Sequence, residues 1–293
     1  MDDPISASEL IVNDDGTVFH LHLLPEELAD TVILVGDPGR VELIAAQFDR
    51  VEVKKSNREF YTVTGRCNGK RISVVSTGIG PDNIDIVLNE LDALANIDLG
   101  TKTVRQQKKS LTLVRIGTSG SVQADIPVGS FLLSEKSIGT DGVLRFYAGN
   151  REICDPEFEE AFIRHCGWNP ECARPYAVNA SPELTARLHS EGVTCKGITL
   201  TAVGFYGPQG RVLRLPLSMP GINDRITTFR HRGQRVTNYE MESAPITGLS
   251  NLLGHRAATI CLIIANRITG EASADYSGNM HKLIRYTLKK LTE

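Results

Sequence analysis

The chain has 293 residues, of which 41% are hydrophobic and 23% charged, and its 32 Lys and Arg residues against 35 Asp and Glu residues give a formal net charge of −3. This composition excludes a disordered, collagen-like or coiled-coil chain, and the length suffices for one large α/β domain or two smaller ones. The slightly acidic balance also argues against a nucleic-acid partner, because no basic stripe is present to neutralise phosphates.

Membrane insertion, secretion and a disulfide framework are not indicated. The longest apolar run, residues 257–265, is well short of the roughly 20 residues that a bilayer requires, so we expect no membrane partner. The N-terminal Met1-Asp2-Asp3-Pro4 is acidic where a secretory signal is basic, which predicts a cytoplasmic protein. The cysteines lack zinc-site spacing and are expected to be reduced, mostly buried thiols: Cys67, Cys154, Cys166, Cys172, Cys195 and Cys261.

Short apolar runs rich in β-branched residues recur along the chain and predict strands. They cover residues 31–35, 60–64, 72–76, 111–116, 130–134, 198–203 and 258–264. Several of these runs are almost continuously apolar, which is typical of central strands in a sheet that is covered on both faces.

Helical patterns lie between the predicted strands. The clearest covers residues 83–95, where apolar residues recur at helical spacing and Asp82 is the expected N-cap. The other predicted helices cover residues 38–48, 155–166, 181–190, 240–253 and 274–291. Strands that alternate with helices predict parallel pairing and a three-layer α/β sandwich.

No internal repeat and no Pro/Gly-rich linker divides the chain, so we expect a single domain over residues 1–293. Residues 1–17 form an N-terminal arm of that domain. The stretch 96–110 is polar and carries Lys102, Arg105, Lys108 and Lys109. It is predicted to be a solvated surface insertion, and an anion site there is the less favoured alternative.

The first candidate site element is Gly36-Asp37-Pro38-Gly39-Arg40, between a predicted strand and a predicted helix. Such a turn presents free backbone N–H groups and a helix dipole to an anion, and Arg40 adds a charged fork suited to phosphate. A tight turn in which Asp37 caps the helix is an equally weighted alternative. The string matches neither a dinucleotide-binding motif nor a P-loop.

The second element is Arg115-Ile116-Gly117-Thr118-Ser119-Gly120, which follows the apolar core of a predicted strand. Its arginine and hydroxyls are expected at the carboxyl edge of the sheet, where open α/β sheets bind ligands. Two arginines, a threonine hydroxyl and glycine amides from two strand ends suit one phosphate. For a single arginine, a surface ion pair would be the simpler explanation.

The third element, Phe205-Tyr206-Gly207-Pro208-Gln209-Gly210-Arg211, combines three kinds of side chain. The glutamine offers a donor and an acceptor, the arginine offers donors only, and the aromatic ring offers a stacking face. Together they suit a planar heterocycle with carbonyl and N–H edges. As an isolated string, the same residues also fit a turn-rich hairpin.

The fourth element is Asn238-Tyr239-Glu240-Met241-Glu242-Ser243, at the junction of a strand and a helix. The two carboxylates do not have the spacing of a metal pair. A carboxylate at a strand end can accept hydrogen bonds from vicinal hydroxyls such as those of a ribose. Taken alone, the string fits a helix start enriched in Glu to complement the helix dipole.

In this order, the four elements closely resemble the nucleoside phosphorylase-I family, and within it the uridine phosphorylases. The resemblance covers nearly the whole chain, and further matching strings are Val18-Phe19-His20-Leu21, Ser56-Asn57-Arg58-Glu59-Phe60, Ser76-Thr77-Gly78-Ile79-Gly80 and Ala265-Asn266-Arg267. It implies a mixed, partly barrel-like central β-sheet flanked by helices. It also implies reversible phosphorolysis of uridine to uracil and ribose 1-phosphate, without an organic cofactor and with inorganic phosphate as co-substrate.

The resemblance implies a role for each matching residue. The implied phosphate site consists of Gly36, Arg40, Arg115 and Thr118, joined by Arg58 from a neighbouring subunit. The implied ribose site consists of Met241 and Glu242, with His20 of the neighbour near the 5′-hydroxyl. The implied base site consists of Phe205, Gln209 and Arg211, with Arg267 close by. Of these, Arg115, Gln209, Arg211 and Glu242 are the expected catalytic residues.

Because two residues are expected from a neighbour, the resemblance implies at least a two-fold dimer that exchanges His20 and Arg58. Whether that dimer assembles further into a hexamer is left open. In several bacterial relatives, residues matching Glu59, Ile79 and a serine at Asn83 belong to an intersubunit potassium site. The altered turn Gly80-Pro81-Asp82-Asn83 leaves potassium binding open here.

One position bears on the base that is cleaved. The bacterial purine members carry an Asp, a general acid for N7 of the base, where this chain has Asn266. An amide cannot act as that acid, and a pyrimidine has no N7 to protonate, which favours uridine. A purine or broad-specificity nucleoside phosphorylase and a non-catalytic nucleoside-binding relative are the alternatives, because a fold does not dictate function.

Overall fold

The computed structural model describes residues 3–293 and alternates strands with helices. The strands are β1 (Thr31–Val35), β2 (Arg50–Asn57), β3 (Phe60–Cys67), β4 (Lys70–Ser76), β5 (Ile97–Asp98), β6 (Thr103–Val104), β7 (Thr112–Ser121), β8 (Phe131–Gly139), β9 (Tyr176–Asn179), β10 (Thr194–Thr201), β11 (Val236–Glu240) and β12 (Arg256–Asn266). The helices are α1 (Pro38–Ala45), α2 (Pro81–Asn96), α3 (Asn150–Ile153), α4 (Pro156–Cys166), α5 (Pro182–Leu188), α6 (Ile222–Thr228), α7 (Ser243–Leu253) and α8 (Tyr276–Thr292).

Each predicted strand is present, but several extend well beyond their apolar run. Strands β7 and β12 pair in parallel from Thr112 to Ser121, so the polar and glycine residues of β7 belong to the sheet. The apolar pattern missed β2, an edge strand of mostly charged and exposed residues. It also missed β9 and β11, which are only four and five residues long.

Strand β1 lies inside the sheet and is buried along its whole length. Its side chains alternate between two hydrophobic clusters: Val32 and Leu34 pack with α2 and α7, whereas Ile33 and Val35 pack with α1 and α8. Because successive side chains of a strand point to opposite faces, helices cover both sides of this part of the sheet. The predicted three-layer arrangement is confirmed.

The other end of the sheet closes into a barrel. The strand order is β11-β10-β8-β12-β7-β1-β4-β3-β2, and β11 also pairs with β7, which joins five strands in a ring. The ring contains parallel pairs, such as β10 with β11, and antiparallel pairs, such as β8 with β12. The predicted mixed, partly barrel-like sheet is therefore confirmed, although the strand pairing is more mixed than βα alternation alone suggests.

The inside of the barrel is polar. On β12, Ala258 and Ile260 point out of the barrel and pack in the hydrophobic cluster that contains residues of α1 and α8, called the α1/α8 cluster below. Thr259, which lies between them, therefore points into the barrel. Within the ring, the Thr199 hydroxyl donates to Asn238 Oδ1 at 3.0 Å and also bonds Ser134. An interior of hydroxyls and amides places the charged residues of β7 and β11 next to polar groups rather than in an apolar core.

Two predicted helix starts need correction. Helix α2 begins at Pro81 with Gly80 as its N-cap, so Asp82 lies in the first turn and is not the cap. Helix α7 begins at Ser243, because Asn238 to Glu240 complete strand β11. The predicted starts of α4 and α5, at 155 and 181, coincide with the caps of these helices, since the side chains of Asp155 and Ser181 accept from backbone N–H groups of the first turn.

The N-terminal arm and the 96–110 insertion contact each other. Ile5 N donates to Lys102 O at 2.8 Å, and Lys102 Nζ donates to Leu10 O at 3.1 Å. The insertion carries the two-stranded ribbon β5–β6 and is mostly exposed from Arg105 onward. The division of 1–293 into one domain with an arm and an insertion stays a prediction, and residues 1 and 2 of the arm lie outside the described residues.

Two compositional predictions can be compared with the structure. Within residues 3–293, no helix is long and apolar enough to cross a membrane. The cysteines are free thiols, as predicted, but only Cys67, Cys166 and Cys261 are buried, and the other three are half-buried.

Candidate active site

The turn after β1 brings a buried arginine to the sheet. Asp37 is the N-cap of α1 and accepts from Gly39 N at 2.9 Å, so the capping alternative is correct for this residue. One turn on, Arg40 is only 6% exposed, with Nη1 donating to Ile116 O at 3.1 Å and Nη2 to the Tyr276 hydroxyl at 3.0 Å. Its Nε is buried without a hydrogen-bond partner among the described residues. The turn is thus a helix cap that also delivers a guanidinium to strand β7.

The second arginine lies inside a strand, not in a loop after it. Arg115 is in the middle of β7, between Leu34 of β1 and Thr259 of β12. Gly117 belongs to the same strand and pairs with Cys261 across the ladder, so it does not lie in a loop after β7. The lack of a side chain at Gly117 makes room for Arg115, because a Cβ there would lie 3.1 Å from the Arg115 guanidinium carbon. The guanidinium therefore folds back over its own strand.

Arg115 is held by two carboxylates. Its Nε donates to Glu240 Oε2 at 3.2 Å, and its Nη2 donates to Glu242. Burial opposes the charge, but the carboxylates of Glu242 and Glu240 outweigh it and raise the pKa of Arg115. Nη1 is buried and lacks a hydrogen-bond partner within residues 3–293. A buried, permanently charged donor without an acceptor is a site for an anion.

The two glutamates of β11–α7 have different tasks. Glu240 accepts from the backbone N–H groups of Glu242 at 2.8 Å and Ser243 at 2.9 Å, and from the Thr201 hydroxyl at 2.5 Å. Glu240 therefore complements the dipole at the start of α7, as the sequence motif suggested. Glu242 accepts from Gly80 N at 2.9 Å and from Arg115, and burial raises the pKa of its carboxyl. Of the two carboxylates that contact Arg115, Glu242 is therefore the one that does not accept from the first backbone N–H groups of α7.

Three further predicted residues line the same region. Gly36 directly follows β1, and a Cβ there would lie 3.2 Å from the carbonyl oxygen of Gly78. Thr118 is half-buried on β7, opposite Leu262 of β12. Met241 is half-buried between the two glutamates. Gly36, Thr118 and Met241 are therefore close in sequence to Arg40, Arg115 and Glu242 and lie on the same turn, strand or strand end, whereas Arg58 and His20 lie on other elements.

The predicted base residues also meet. Gln209 Oε1 accepts from Arg211 Nη1 at 2.7 Å and from Arg267 Nη2 at 2.6 Å, and the Gln209 carbonyl accepts from Arg267 Nη1 at 2.6 Å. The Arg211 guanidinium carbon lies 3.9 Å from the centre of the Phe205 ring. A cavity of about 820 Å³ opens beside Arg211, between Tyr206 and Leu215 and the 168–173 segment. Two cations therefore converge on one amide.

Tyr239 connects the base residues to the glutamates. Its buried ring lies 4.5 Å from the Arg267 guanidinium carbon, and the next residue along β11 is Glu240. Burial, followed by repulsion from Arg211, lowers the pKa of Arg267 to about 10. The guanidinium pair therefore gains from any negative charge that develops beside it.

Asn266 is fully used by the protein. Its Nδ2 donates to the carbonyls of Gln123 and Ile126, both at 2.9 Å. Its Oδ1 accepts from Ile268 N at 2.9 Å and Thr269 N at 3.1 Å. All four hydrogen-bonding positions of the amide are occupied, so this side chain shapes the loop after β12 and is not free to contact a base.

His20 and Arg58 lie together but apart from the arginines and Glu242. His20 Nδ1 bonds Glu90 of α2 at 2.6 Å, and the Phe19 ring lies 5.6 Å from the Arg58 guanidinium carbon. Arg58 is exposed in the turn between β2 and β3. Strand β3 is three strands from β7, which is roughly 14 Å across the sheet. Within residues 3–293, no hydrogen bond joins either residue to Arg40, Arg115 or Glu242.

The residues of the potassium hypothesis are also neighbours. A Cβ on Gly78 would lie 3.4 Å from Glu59 Cγ and 2.5 Å from Asn83 Nδ2, and Ile79 between them is 71% exposed. One carboxylate and one amide are too few oxygen ligands for a cation, so a second copy would have to complete the set. Among the described residues, no group of three His, Cys, Asp or Glu side chains could hold a metal ion.

Two contacts of the site were not predicted. Tyr276, the first residue of α8, accepts from Arg40, and no local motif marks it. Gly80 reaches Glu242 through its backbone N–H at φ +106°, a conformation that favours glycine. The glycine-rich string around Gly80 could have been recognised in the sequence as part of the site, whereas no sequence pattern indicated Tyr276.

Comparisons with known proteins agree with this geometry. A model described as the phosphorylase superfamily matches residues 30–291. A uridine phosphorylase of Thermococcus kodakarensis is 30% identical over 266 residues, which cover 88% of this chain and 80% of the relative. A guanosine phosphorylase of Halorubrum lacusprofundi is 25% identical over 282 residues, covering 92% and 97%. The crystal structure of a Trypanosoma brucei nucleoside phosphorylase, described as showing uridine phosphorylase activity, matches with a TM-score of 0.86 at 28% identity, covering 96% of this chain and 99% of that one.

Proposed function

This chain belongs to the phosphorylase superfamily, and from that premise we propose that it catalyses the reversible phosphorolysis of uridine to uracil and ribose 1-phosphate. The observation that carries the proposal is the pair of buried arginines, Arg40 and Arg115, each with an N–H group that lacks an acceptor within residues 3–293. Next to them lie a buried carboxylate and, further along, the arginine pair on Gln209. This order of charges suits phosphate, ribose and base.

Phosphate is the nucleophile in this proposal. Arg40 and Arg115 would clamp its dianion below C1′ of the sugar, with the Thr118 hydroxyl and the turn at Gly36 beside it. A clamped dianion gains from proximity and also offsets the positive charge that builds on the sugar as the glycosidic bond breaks. The buried setting strengthens both effects, because water screens the charges less there.

Glu242 would orient the ribose by accepting from the 2′- and 3′-hydroxyls, with Met241 against the sugar. In this arrangement the contact between Glu242 and Arg115 would bring the sugar next to the phosphate. The Arg115 guanidinium also opposes the effect of burial, which raises the pKa of the Glu242 carboxyl. A neutral carboxylic acid would be a weaker acceptor for the hydroxyls.

Gln209, Arg211 and Arg267 would receive the departing base, stacked against Phe205. Negative charge develops on uracil as the bond breaks, and two guanidinium groups that repel each other in the free enzyme are stabilised by that charge. The interaction is therefore stronger in the transition state than in the ground state, as catalysis requires.

Cleavage of purine nucleosides is the second candidate, favoured by the similarity to the guanosine phosphorylase. The hydrogen bonds of Asn266 support the pyrimidine assignment, because this amide has no free group for a purine N7. A protein that binds nucleosides without turnover would be expected to lose part of the arginine and glutamate set, and the set is complete here.

A two-fold dimer that exchanges His20 and Arg58 is the proposed minimum assembly. Phe146 is 90% exposed, and its neighbour Tyr147 bonds Asp85 and Asn89 of α2, the helix whose Glu90 holds His20. An exposed aromatic residue next to that helix supports a subunit contact on this side of the molecule. A potassium ion shared by Glu59, Ile79 and Asn83 of two copies would fasten the same contact.

The direct test is to incubate the protein with uridine and to measure uracil release with and without phosphate. Release that needs phosphate is expected. Release without phosphate would identify a hydrolase, and release from inosine or guanosine but not from uridine would contradict the pyrimidine assignment.

Two alanine variants separate the two ends of the site. Arg115→Ala is expected to raise KM for phosphate at least about tenfold, and Arg211→Ala is expected to act on KM for uridine and on kcat instead, by a similar factor. Arg232→Ala, at an exposed arginine paired with Glu157, is the control and should leave both unchanged. Identical kinetic profiles for the two site variants would contradict this division.

A further inference from the structure

The start of helix α8 is firmly placed. Asp275 caps it by accepting from Gly278 N at 2.8 Å, and its buried stripe, including Met280, Leu283 and Ile284, packs in the α1/α8 cluster. The segment before it is tied to β12, because Ser273 N donates to Ile264 O at 2.8 Å. The first residue of the helix, Tyr276, is therefore held in position from both sides.

Tyr276 uses that position to reach across the fold to α1. Its hydroxyl accepts from Arg40 Nη2 at 3.0 Å, while Arg40 Nη1 donates to Ile116 O of β7 at 3.1 Å. Two acceptors on different elements, one on each terminal nitrogen, define the orientation of a planar guanidinium. Without the hydroxyl, only the contact to Ile116 would hold it.

We propose that Tyr276 is a positioning residue of the phosphate site, which acts by orienting the guanidinium of Arg40 toward the anion. This inference rests on the proposed function, in which Arg40 binds phosphate. Tyr276 is 40% exposed, so it contributes little to the core, and an exposed tyrosine that bonds a buried arginine is better explained by the site than by stability.

The test uses Tyr276→Phe, which removes only the hydroxyl. Binding of inorganic phosphate to the nucleoside-free protein, measured by calorimetry, is expected to weaken roughly 3- to 10-fold, as for the loss of one ordinary hydrogen bond. In steady-state kinetics with uridine, KM for phosphate should rise by the same factor, while KM for uridine and kcat change less than about twofold.

Tyr286→Phe is the matched control, because it makes the same chemical change in the same helix. The Tyr286 hydroxyl donates to Leu188 O at 2.7 Å and does not contact Arg40. The Tyr286→Phe variant should bind phosphate as the parent protein does. In an Arg40→Lys background, Tyr276→Phe should have little further effect, since a residue that acts through Arg40 loses its influence with the guanidinium.

Three outcomes would overturn the inference: unchanged phosphate binding in Tyr276→Phe, an equal loss in Tyr286→Phe, or full additivity with Arg40→Lys. Parent protein that does not bind phosphate would overturn it as well. Failure of the proposed function has a different signature. In that case phosphate binding responds to Tyr276→Phe as expected, but uridine is not cleaved.

Discussion

At the scale of single residues, the site is built from buried charges that are only partly compensated. Among the residues that the structure describes, Arg115 has two carboxylate partners and one buried N–H without an acceptor, and Arg40 has two partners and one such N–H. Removing one member of such a set leaves the others buried and unpaired, which costs several kcal/mol in comparable cases, about 3–5. A bound anion, as in the proposed phosphate site, would complete this set by accepting from the N–H groups that lack a partner.

Asn266 provides a prediction at this scale. In Asn266→Asp, a carboxylate oxygen would replace the Nδ2 group that now donates to the carbonyls of Gln123 and Ile126. Repulsion between oxygens should lower the free energy of unfolding by about 1–3 kcal/mol at pH 7, measured by urea denaturation.

The sign of the pH effect follows from the same contact. The folded state would favour the protonated acid, which can still donate, so the new carboxyl would have a raised pKa. The stability loss should be small below the ordinary Asp pKa of about 3.9 and should grow as the pH rises above it. Gain of activity on inosine in this variant would contradict our assignment, since it would mean that residue 266 reaches the base.

At the scale of elements, strand β8 shows how little room the sheet leaves for change. A Cβ on Gly139, the last residue of β8, would lie 2.1 Å from Cζ of Tyr176 on β9. The Tyr176 ring is fully buried, and its hydroxyl donates to Asp141 at 2.9 Å, so it cannot move aside without losing that bond.

Gly139→Ala is therefore expected to lower the free energy of unfolding by at least about 2 kcal/mol, because overpacking of a dense interior forces the surrounding backbone to shift. Urea denaturation measures this change. Gly100→Ala, in the exposed insertion, has a contact of only 3.4 Å to Asp98 and is the matched control, expected to be near neutral. A neutral Gly139→Ala would show that Tyr176 can repack.

The edge of the sheet is stabilised by charge rather than by burial. Glu52 of β2 accepts from Arg71 of β4 at 2.8 Å, from Arg50 at 2.9 Å and from Arg66 of β3 at 3.0 Å. These hydrogen bonds, that from Arg71 foremost, lower the pKa of Glu52 from 4.5 to about 2. Charged side chains on an edge strand also discourage pairing with another chain.

A lowered carboxylate pKa makes a stability contribution that is present above the unfolded pKa, 4.5, and is lost as the pH falls toward about 2. In Glu52→Gln, the difference between the urea midpoints at pH 7 and pH 3 should be smaller than in the parent protein. Glu171→Gln, at an exposed loop residue, should retain the parental difference. Equal acid sensitivity of all three proteins would contradict the role of this cluster.

At the scale of the whole molecule, the question is whether one chain suffices for activity. If Arg58 acts in the neighbour's site, a heterodimer of Arg58→Ala and Arg115→Ala subunits contains one site with both defects and one intact site. Differently tagged subunits, co-expressed and purified through both tags, should then recover about half of the parental activity, although each variant alone is strongly impaired. If Arg58 serves its own chain, both sites are defective, and the heterodimer should stay inactive.

Much of the site was predictable from local sequence, because its residues lie in short strings at the ends of strands. The strand–turn–helix at Gly36 to Arg40 follows from an apolar run, an Asp-Pro and a glycine, and Asp37 caps α1. The extension of β7 beyond Ile116 did not follow, because glycines after an apolar run usually end a strand, and only pairing with β12 extends it to Ser121. Asp82 failed as a cap because Pro81 already occupies the first helical position.

The sequence by itself determined the alternation of strands and helices, the two buried faces of β1, and the residue types that suit phosphate, ribose and base, since these depend on spacing along the chain. Only the tertiary structure decided that β11 closes on β7, that both glutamates meet Arg115, that Asn266 is fully bonded, and that Tyr276 reaches Arg40. Most of those contacts join residues more than 100 positions apart, and their geometry depends on how the whole sheet closes and on which helices pack against it.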